Sequence, residues 1–357
     1  MTAFTYYLGA NTPLGFRSDY DSLFLNPHLS QVLILKGGPG CGKSTLMKAL
    51  AEHGASLGLG VELVPCSSDP DSLDAVILPQ AGLALVDGTA PHVTEPPLCG
   101  CGGNYLNLGR FYRDEAVAAL RPALEQAKAD NAACYPRAYA ALGAAGRWIE
   151  LLQAWAGPLW TREQMQTVLT AVLPTLPRSA RLPGRVMPGF LTALTPVGAR
   201  VCPLPAGTQW TILDPFRLAG SLMAQLQDRL VRAGKDVRVF ADPLCPDQAL
   251  ALWCPELDTA WICREPVFSA GKQTALVVDL EQPIRAGIPV REQEHLDAAL
   301  DGIARAVSEA VFWLSRAKEH HDRLEELYRP TVDFAGVTAL TQRLILSLER
   351  TMERSTP

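Results

Sequence analysis

No apolar run in this chain is long enough to cross a bilayer, which removes membrane-spanning roles from the reading. An excess of basic charge is missing as well: 32 Lys and Arg stand against 37 Asp and Glu, a formal net charge of −5. A nonspecific nucleic-acid binder needs a basic footprint, so nucleic acid is disfavoured as a partner. The first residues, MTAFTYYLGANTPLGF, lack a charged segment followed by an apolar one, so no secretory signal is expected and a cytoplasmic location is. The nine cysteines are odd in number and sit mostly among apolar neighbours. That is the usage of a reducing compartment, where thiols act as small hydrophobes. Cys99-Gly-Cys101 is the one cysteine cluster; a metal site joining it to Cys66 or His92 lacks a second pair at proper spacing and is a weak signal.

What is present is ordinary globular material, 48% hydrophobic and 19% charged, over 357 residues. That length is comfortable for two domains, each with a core of its own.

The stretch GGPGCGKS, Gly37 to Ser44, fits the pattern G-x-x-x-x-G-K-[S/T]. Upstream, QVLILK (Gln31 to Lys36) reads as a buried strand. Downstream, STLMKALAEHGASLG carries Leu46, Met47, Leu50 and Leu57 at helical spacing and stops near Gly58 and Gly60. Strand, glycine loop and helix are what triphosphate binding requires. The glycines permit positive φ and close approach, so backbone amides turn inward around a phosphate, and the helix N-terminus adds its partial positive charge. The expected nucleotide-binding residues are Gly37, Gly38, Pro39, Gly40, Cys41, Gly42, Lys43, Ser44 and Thr45. Lys43 would reach the β- and γ-phosphates of ATP and the Ser44 hydroxyl would ligate Mg²⁺.

Such a loop also needs an acid. Asp87 ends LALVD (Leu83 to Asp87), a buried-strand pattern finishing in a carboxylate, and is the second expected Mg²⁺ ligand. Asp69 and Asp71, in SSDPDSLD after the strand VELVPC (Val61 to Cys66), either face the phosphates or make a capped turn into a short helix. Gly88 stands where many strand-borne ATPase sites place a water-polarising glutamate, so another group must orient the water if hydrolysis occurs. His92, in TAPHV, is the residue expected to do so.

The first half recurs at a shift of 176. From residue 39 to 86 there are eleven identities in 48 pairs, among them Pro39/Pro215, Met47/Met223 and Pro79/Pro255; average composition gives about three. LGF (Leu14 to Phe16) answers to PGF (Pro188 to Phe190). Long helical segments of about 135–156 and 292–328 correspond, followed by helices of about 162–173 and 334–352 that open on Thr161 and Asp333. Pro174 to Gly189 has linker composition. The expected organisation is a tandem duplication of two α/β lobes with helical appendages, 1–177 and 186–357, packed as an intrachain pseudo-dimer. In the second copy Leu213, Asp214, Phe216, Leu218 and Ala219 replace Gly37, Gly38, Gly40, Gly42 and Lys43, and Cys263 replaces Asp87. That lobe is expected to keep the fold and lose the nucleotide. Arg217 and Arg264 are expected on a solvated surface, with charge donation to the live loop as the alternative.

With these pieces assembled, the sequence resembles a family of largely uncharacterised bacterial P-loop ATPase-like proteins with two tandem nucleoside-triphosphatase-type halves. The resemblance runs through YYLGANTPLGF, KGGPGCGKSTLMK, CSSDPDSLDAVILP, VDGTAPHV and NLGRFY in the first half and LTALTPVG in the second. It implies the P-loop NTPase fold and ATP binding at Gly37 to Thr45, and it supplies no substrate. The family's second half often keeps a better-preserved phosphate loop; the erased loop here departs from that pattern. The expected activity is slow ATP·Mg²⁺ hydrolysis by the first lobe, with Lys43, Asp87 and His92 as the catalytic residues. Two alternatives stay open: a kinase that moves the γ-phosphoryl to an unknown acceptor over SSDPDS or the TAPH loop, and an ATP-dependent switch with a protein partner.

Overall fold

The computed structural model describes residues 3–173, 176, 182–265, 267 and 276–355. The chain begins with β1 (Phe4–Thr5), a hairpin of β2 (Gly9–Thr12) and β3 (Gly15–Ser18), and β4 (Gln31–Lys36). Then come α1 (Lys43–Ser56), β5 (Glu62–Pro65), β6 (Leu73–Leu78), β7 (Leu83–Asp87) and β8 (Gly103–Asn107). Three helices close the first half: α2 (Asp114–Ala119), α3 (Arg121–Ala156) and α4 (Arg162–Val172). The second half repeats the order: β9 (Val186–Gly189), a hairpin of β10 (Thr192–Thr195) and β11 (Gly198–Val201), and β12 (Thr208–Leu213). It continues through α5 (Gly220–Arg232), β13 (Val237–Asp242), β14 (Cys245–Cys254), β15 (Thr259–Arg264) and β16 (Leu276–Asp279), ending in α6 (Glu281–Gly287), α7 (Val290–Tyr328) and α8 (Phe334–Ser355).

The protein is therefore α/β with two mixed six-stranded sheets. In the first the order is β1-β5-β6-β7-β4-β8, with β6 antiparallel to both neighbours and the other pairs parallel. In the second it is β9-β13-β14-β15-β12-β16, with β14 antiparallel to both neighbours and the rest parallel. Position for position the two sheets have the same connectivity and the same strand directions.

The hairpins carry a second correspondence. Thr12 Oγ1 donates to the Gly15 carbonyl at 2.7 Å, and Thr195 Oγ1 donates to the Gly198 carbonyl at 2.7 Å. Gly15 and Gly198 take φ of 105° and 103°, which L side chains rarely adopt. The equivalent turns are thus Thr12-Pro13-Leu14-Gly15 and Thr195-Pro196-Val197-Gly198. The expected match of Leu14–Phe16 with Pro188–Phe190 is corrected: the former lie in a hairpin turn and β3, the latter in β9 and just beyond it.

The chain divides into two compact units, each assembled from separate stretches of sequence. One comprises Met1–Gly9, Ser18–Pro136 and Trp313–Pro357; the other comprises Ala10–Arg17 and Arg137–Phe312. Each unit draws on both sides of the expected boundary at 177–186. Of the linker-like stretch, only Leu176 and residues 182–189 are described, and its last four residues form β9.

The core of the first unit forms where α1 lies on the sheet. Leu46, Met47 and Leu50 are buried against Leu33, Leu35, Val76 and Leu85; each such side chain contributes about 1.5–3 kcal/mol by leaving water. The same cluster takes in Val332, Val337 and Leu348 from the end of the chain. Helix α1 stops where expected, with Gly58 at φ 77°, whereas Leu57 falls just past its end and is largely exposed. Helix α4 opens on a capping box between Thr161 and Gln164, and Asp333 accepts from the Gly336 amide at 3.1 Å before α8. A lost cap of this kind costs about 1 kcal/mol.

Candidate functional site

The site lies in the first unit, at the carboxyl ends of two adjacent parallel strands. β4 and β7 pair directly, with Leu35 opposite Asp87. Their buried aliphatic runs carry the glycine loop and Asp87 to the same edge of the sheet. The loop then turns into α1 through Gly40 at φ 67° and Gly42 at φ 93°, with Gly42 as the helix N-cap residue and Lys43 as its first residue. Two left-handed positions two residues apart need glycine, which is why a loop of this shape is spelled with it.

Close packing accounts for the remaining glycines. A Cβ on Gly37 would lie 2.7 Å from Cys41 Sγ, and one on Gly38 would lie 2.9 Å from the Tyr112 hydroxyl. Tyr112 in turn donates to the Pro39 carbonyl at 3.0 Å, so its ring buttresses the loop from outside. Cys41 is buried in the core cluster under the loop, and burial raises its thiol from its ordinary value, with Lys43 opposing.

The charged groups converge. Lys43 Nζ donates to the Gly37 carbonyl at 2.5 Å and the Gly38 carbonyl at 3.0 Å, and stands 3.5 Å from Asp87 Oδ2. Both side chains are 12% exposed, so the pair is largely shielded from water. Asp87 Oδ1 accepts from the Thr89 amide at 2.9 Å and the Thr89 hydroxyl at 2.6 Å, which fixes the carboxylate and leaves Oδ2 toward Lys43. Ser44 Oγ accepts from the Leu73 amide at 3.0 Å, tying the start of α1 to the start of β6. Hydroxyl and carboxylate are the hard oxygen donors that suit Mg²⁺.

The structure adds residues that the motif does not contain. Glu325, near the end of α7, accepts from the Gly40 amide at 3.3 Å. A Cβ on Gly40 would sit 3.2 Å from the Glu325 carbonyl and 3.4 Å from Arg329 Cγ, and one on Gly42 would sit 3.3 Å from Val337. Glu325, Arg329 and Val337 therefore approach the loop from a sequence distance that no local pattern reveals.

Gly88 has a steric reason. A Cβ there would meet Ile34 Cγ2 at 2.3 Å, so the backbone after Asp87 runs too close to β4 for a glutamate. Asp69 and Asp71 make a turn, with Ser72 donating to Asp69 Oδ2 at 2.7 Å, but the turn leads into strand β6 and not into the short helix weighed above. Asp69 also lies 3.5 Å from Lys318 of α7.

His92 is 4% exposed and forms a second cluster. Its Nε2 lies 3.4 Å from Asp74 Oδ2 and 3.9 Å from Cys66 Sγ, and Tyr20 donates to Asp74 Oδ2 at 2.7 Å. Burial pushes the Asp74 carboxyl, the Cys66 thiol and the Tyr20 phenol upward from their ordinary ranges. Cys99 and Cys101 are exposed, apart in burial from Cys66.

In the second unit an acid, Asp214, sits between β12 and α5. Asp214 Oδ1 accepts from the Leu218 amide at 3.0 Å and Oδ2 from the Ala219 amide at 2.7 Å, ahead of α5. Phe216 is fully buried. Arg217, expected on a solvated surface, is instead 4% exposed and held by Asp242 at 2.7 Å and by Glu265. It adopts φ 54°, a left-handed backbone that costs a non-glycine residue about 1–3 kcal/mol. The correction has a plain cause: Asp242 and Glu265 are buried, and a buried carboxylate left without a counter-ion is costly, so the guanidinium is drawn in to pair them. Arg264 ends β15 in the same unit, opposite Leu213.

Comparisons of the chain with protein-family models, with curated proteins and with solved structures found no match.

Proposed function

We propose that the first unit is a P-loop NTPase-type module that binds ATP with Mg²⁺, and that the chain is a tandem duplication whose second copy has lost the site. The observation that carries the reading is the position of Lys43: first residue of a helix entered through a glycine loop, 3.5 Å from an acid ending the adjacent parallel strand. Lys43 would neutralise the β- and γ-phosphates, loop amides would hold their oxygens, and Ser44 with Asp87 would hold the cation. When bound, Mg²⁺ supplies charge neutralisation to the phosphoryl group. The duplication is supported by the matching sheet order and by the two Thr-Pro-x-Gly turns.

Slow hydrolysis is the activity favoured, because positioning and charge are provided. The strand after Asp87 offers no base, since Gly88 has room for no side chain. That same feature supports a kinase, in which the acceptor brings the nucleophile. His92 is engaged with Asp74, and turnover in this reading rests on Lys43, Asp87 and Ser44. A switch reading draws on Glu325: phosphate and its carboxylate would compete for the Gly40 amide, which couples nucleotide to α7.

The test is calorimetry of wild-type and Lys43→Ala protein with ATP·Mg²⁺, followed by labelled ATP scanned for free phosphate and for transfer to a metabolite extract. Lys43→Ala is expected to weaken binding at least tenfold, about 1.4 kcal/mol. Equal affinity would sink the site assignment. Phosphate release supports the ATPase, a labelled metabolite the kinase, and binding without turnover the switch.

A further inference from the structure

Three donors of different chemistry meet behind the strand ends of the first unit: a thiol after β5, a carboxylate on β6 and an imidazole after β7. Cys66, Asp74 and His92 are all buried, and their ligand atoms lie within 4.8 Å of one another. We propose that Cys66, Asp74 and His92 bind a single zinc-like divalent cation, a site separate from the magnesium position at Ser44 and Asp87.

The distances suit it. Tetrahedral zinc with bonds of roughly 2.0–2.3 Å places neighbouring N, O and S ligand atoms about 3.3–3.6 Å apart. Here the imidazole nitrogen and the carboxylate oxygen are 3.4 Å apart, and the same nitrogen and the sulfur 3.9 Å, so the thiol closes in by a few tenths of an ångström when the cation binds. Both partners converge on Nε2. That convergence separates a cation site from a nucleophilic relay, in which the carboxylate holds one ring nitrogen and the thiol the other. Tyr20, donating to Asp74 Oδ2 at 2.7 Å and packed edge-on to His92 at 5.2 Å, orients both ligands as outer groups of metal sites do.

Three protein donors leave a fourth position, which a water held by the cation would take. Thiolate and imidazole together select zinc or cobalt over magnesium or calcium, which prefer oxygen donors throughout.

The test uses full-length protein stripped with chelator and titrated with CoCl₂, then dialysed against ZnCl₂ for metal analysis. The expected result is about one cation per chain, with the near-ultraviolet thiolate-to-cobalt band and the visible bands of a tetrahedral centre. The band is expected to persist in the Cys99→Ser/Cys101→Ser protein, to vanish in Cys66→Ser and to weaken in Asp74→Asn. Zinc is expected to raise the melting temperature of the wild type and not of Cys66→Ser. Failure of the wild type to retain metal would overturn the proposal. So would cobalt bound without sulfur character, or a band abolished by the Cys99/Cys101 changes. Should Cys66→Ser not fold, the wild-type spectrum and the exposed double variant still decide between these outcomes.

Discussion

The Gly40 amide, at the crown of the glycine loop, donates to Glu325, a residue 285 positions further along the chain. If the loop receives phosphate as proposed, a carboxylate of the protein already stands on one of its donors. Two anions cannot share one amide, so the first prediction concerns that competition. Glu325→Gln keeps an acceptor of the same shape and removes the charge. ATP affinity is expected to tighten about fivefold at low salt, the equivalent of roughly 1 kcal/mol. The gain should shrink as ionic strength rises. Titration calorimetry at two salt concentrations reads both, and unchanged or weaker binding would remove Glu325 from the site.

Gly88 gives the second prediction. Because a Cβ there would lie 2.3 Å from Ile34 Cγ2, Gly88→Ala forces β4 or the turn to move. A cost of about 1–3 kcal/mol is expected, in the range of overpacked cores. Gly88→Glu is expected to destabilise at least as much and to leave ATP turnover no faster. Denaturant unfolding with phosphate release on the same samples checks this; a faster enzyme would mean that the position tolerates a base.

A third prediction follows from Asp214. Its two oxygens occupy the Leu218 and Ala219 amides while burial raises its pKa above the usual carboxylate range. Asp214→Ala leaves the buried Ala219 amide and the part-buried Leu218 amide without partners, at a cost of about 1–3 kcal/mol. ATP binding at the first loop should be unaffected, and no second nucleotide should bind, since Phe216 still fills the space. A binding stoichiometry of two would show that the acid alone blocks the second copy.

The fourth concerns pH. Burial holds the Glu265 pKa well above its ordinary value, and Arg217 opposes that shift. Arg217→Met removes the opposing charge, so the folded state of the variant holds the Glu265 proton tighter still. Above the unfolded pKa the folded variant binds more protons than the unfolded chain, and its stability falls as pH rises. At pH 8 the loss is expected to be about 3–5 kcal/mol. The deficit against wild type should narrow as pH is lowered toward 5. A deficit independent of pH, measured by urea unfolding at both values, would contradict the buried ion pairing.

These cases mark what sequence could and could not disclose. The loop, Lys43 and Asp87 were legible because their chemistry lies in contiguous residues with fixed spacing, and QVLILK and LALVD are β4 and β7 residue for residue. The helix caps at Thr161 and Asp333 were legible for the same reason. Strand β6 was not, because SSDPDS is turn chemistry and its aspartates obscured the fully buried run LDAVIL that follows. Glu325 was hidden by its setting, one acid among many charges in HHDRLEELYR, with only the fold to bring it to Gly40. His92, expected to orient a water, packs instead against Asp74 and Cys66 from two other strand ends, and no spacing rule links positions 66, 74 and 92.

The stretch Trp313–Pro357 belongs to the first compact unit, where Val332, Val337 and Leu348 share a core with Leu33 and Leu35. A gene cut between its two halves would therefore not yield two self-sufficient products. The upstream fragment would keep every residue of the glycine loop and still expose the apolar floor beneath it. The apolar floor under the loop is thus completed by the last stretch of the chain to be made.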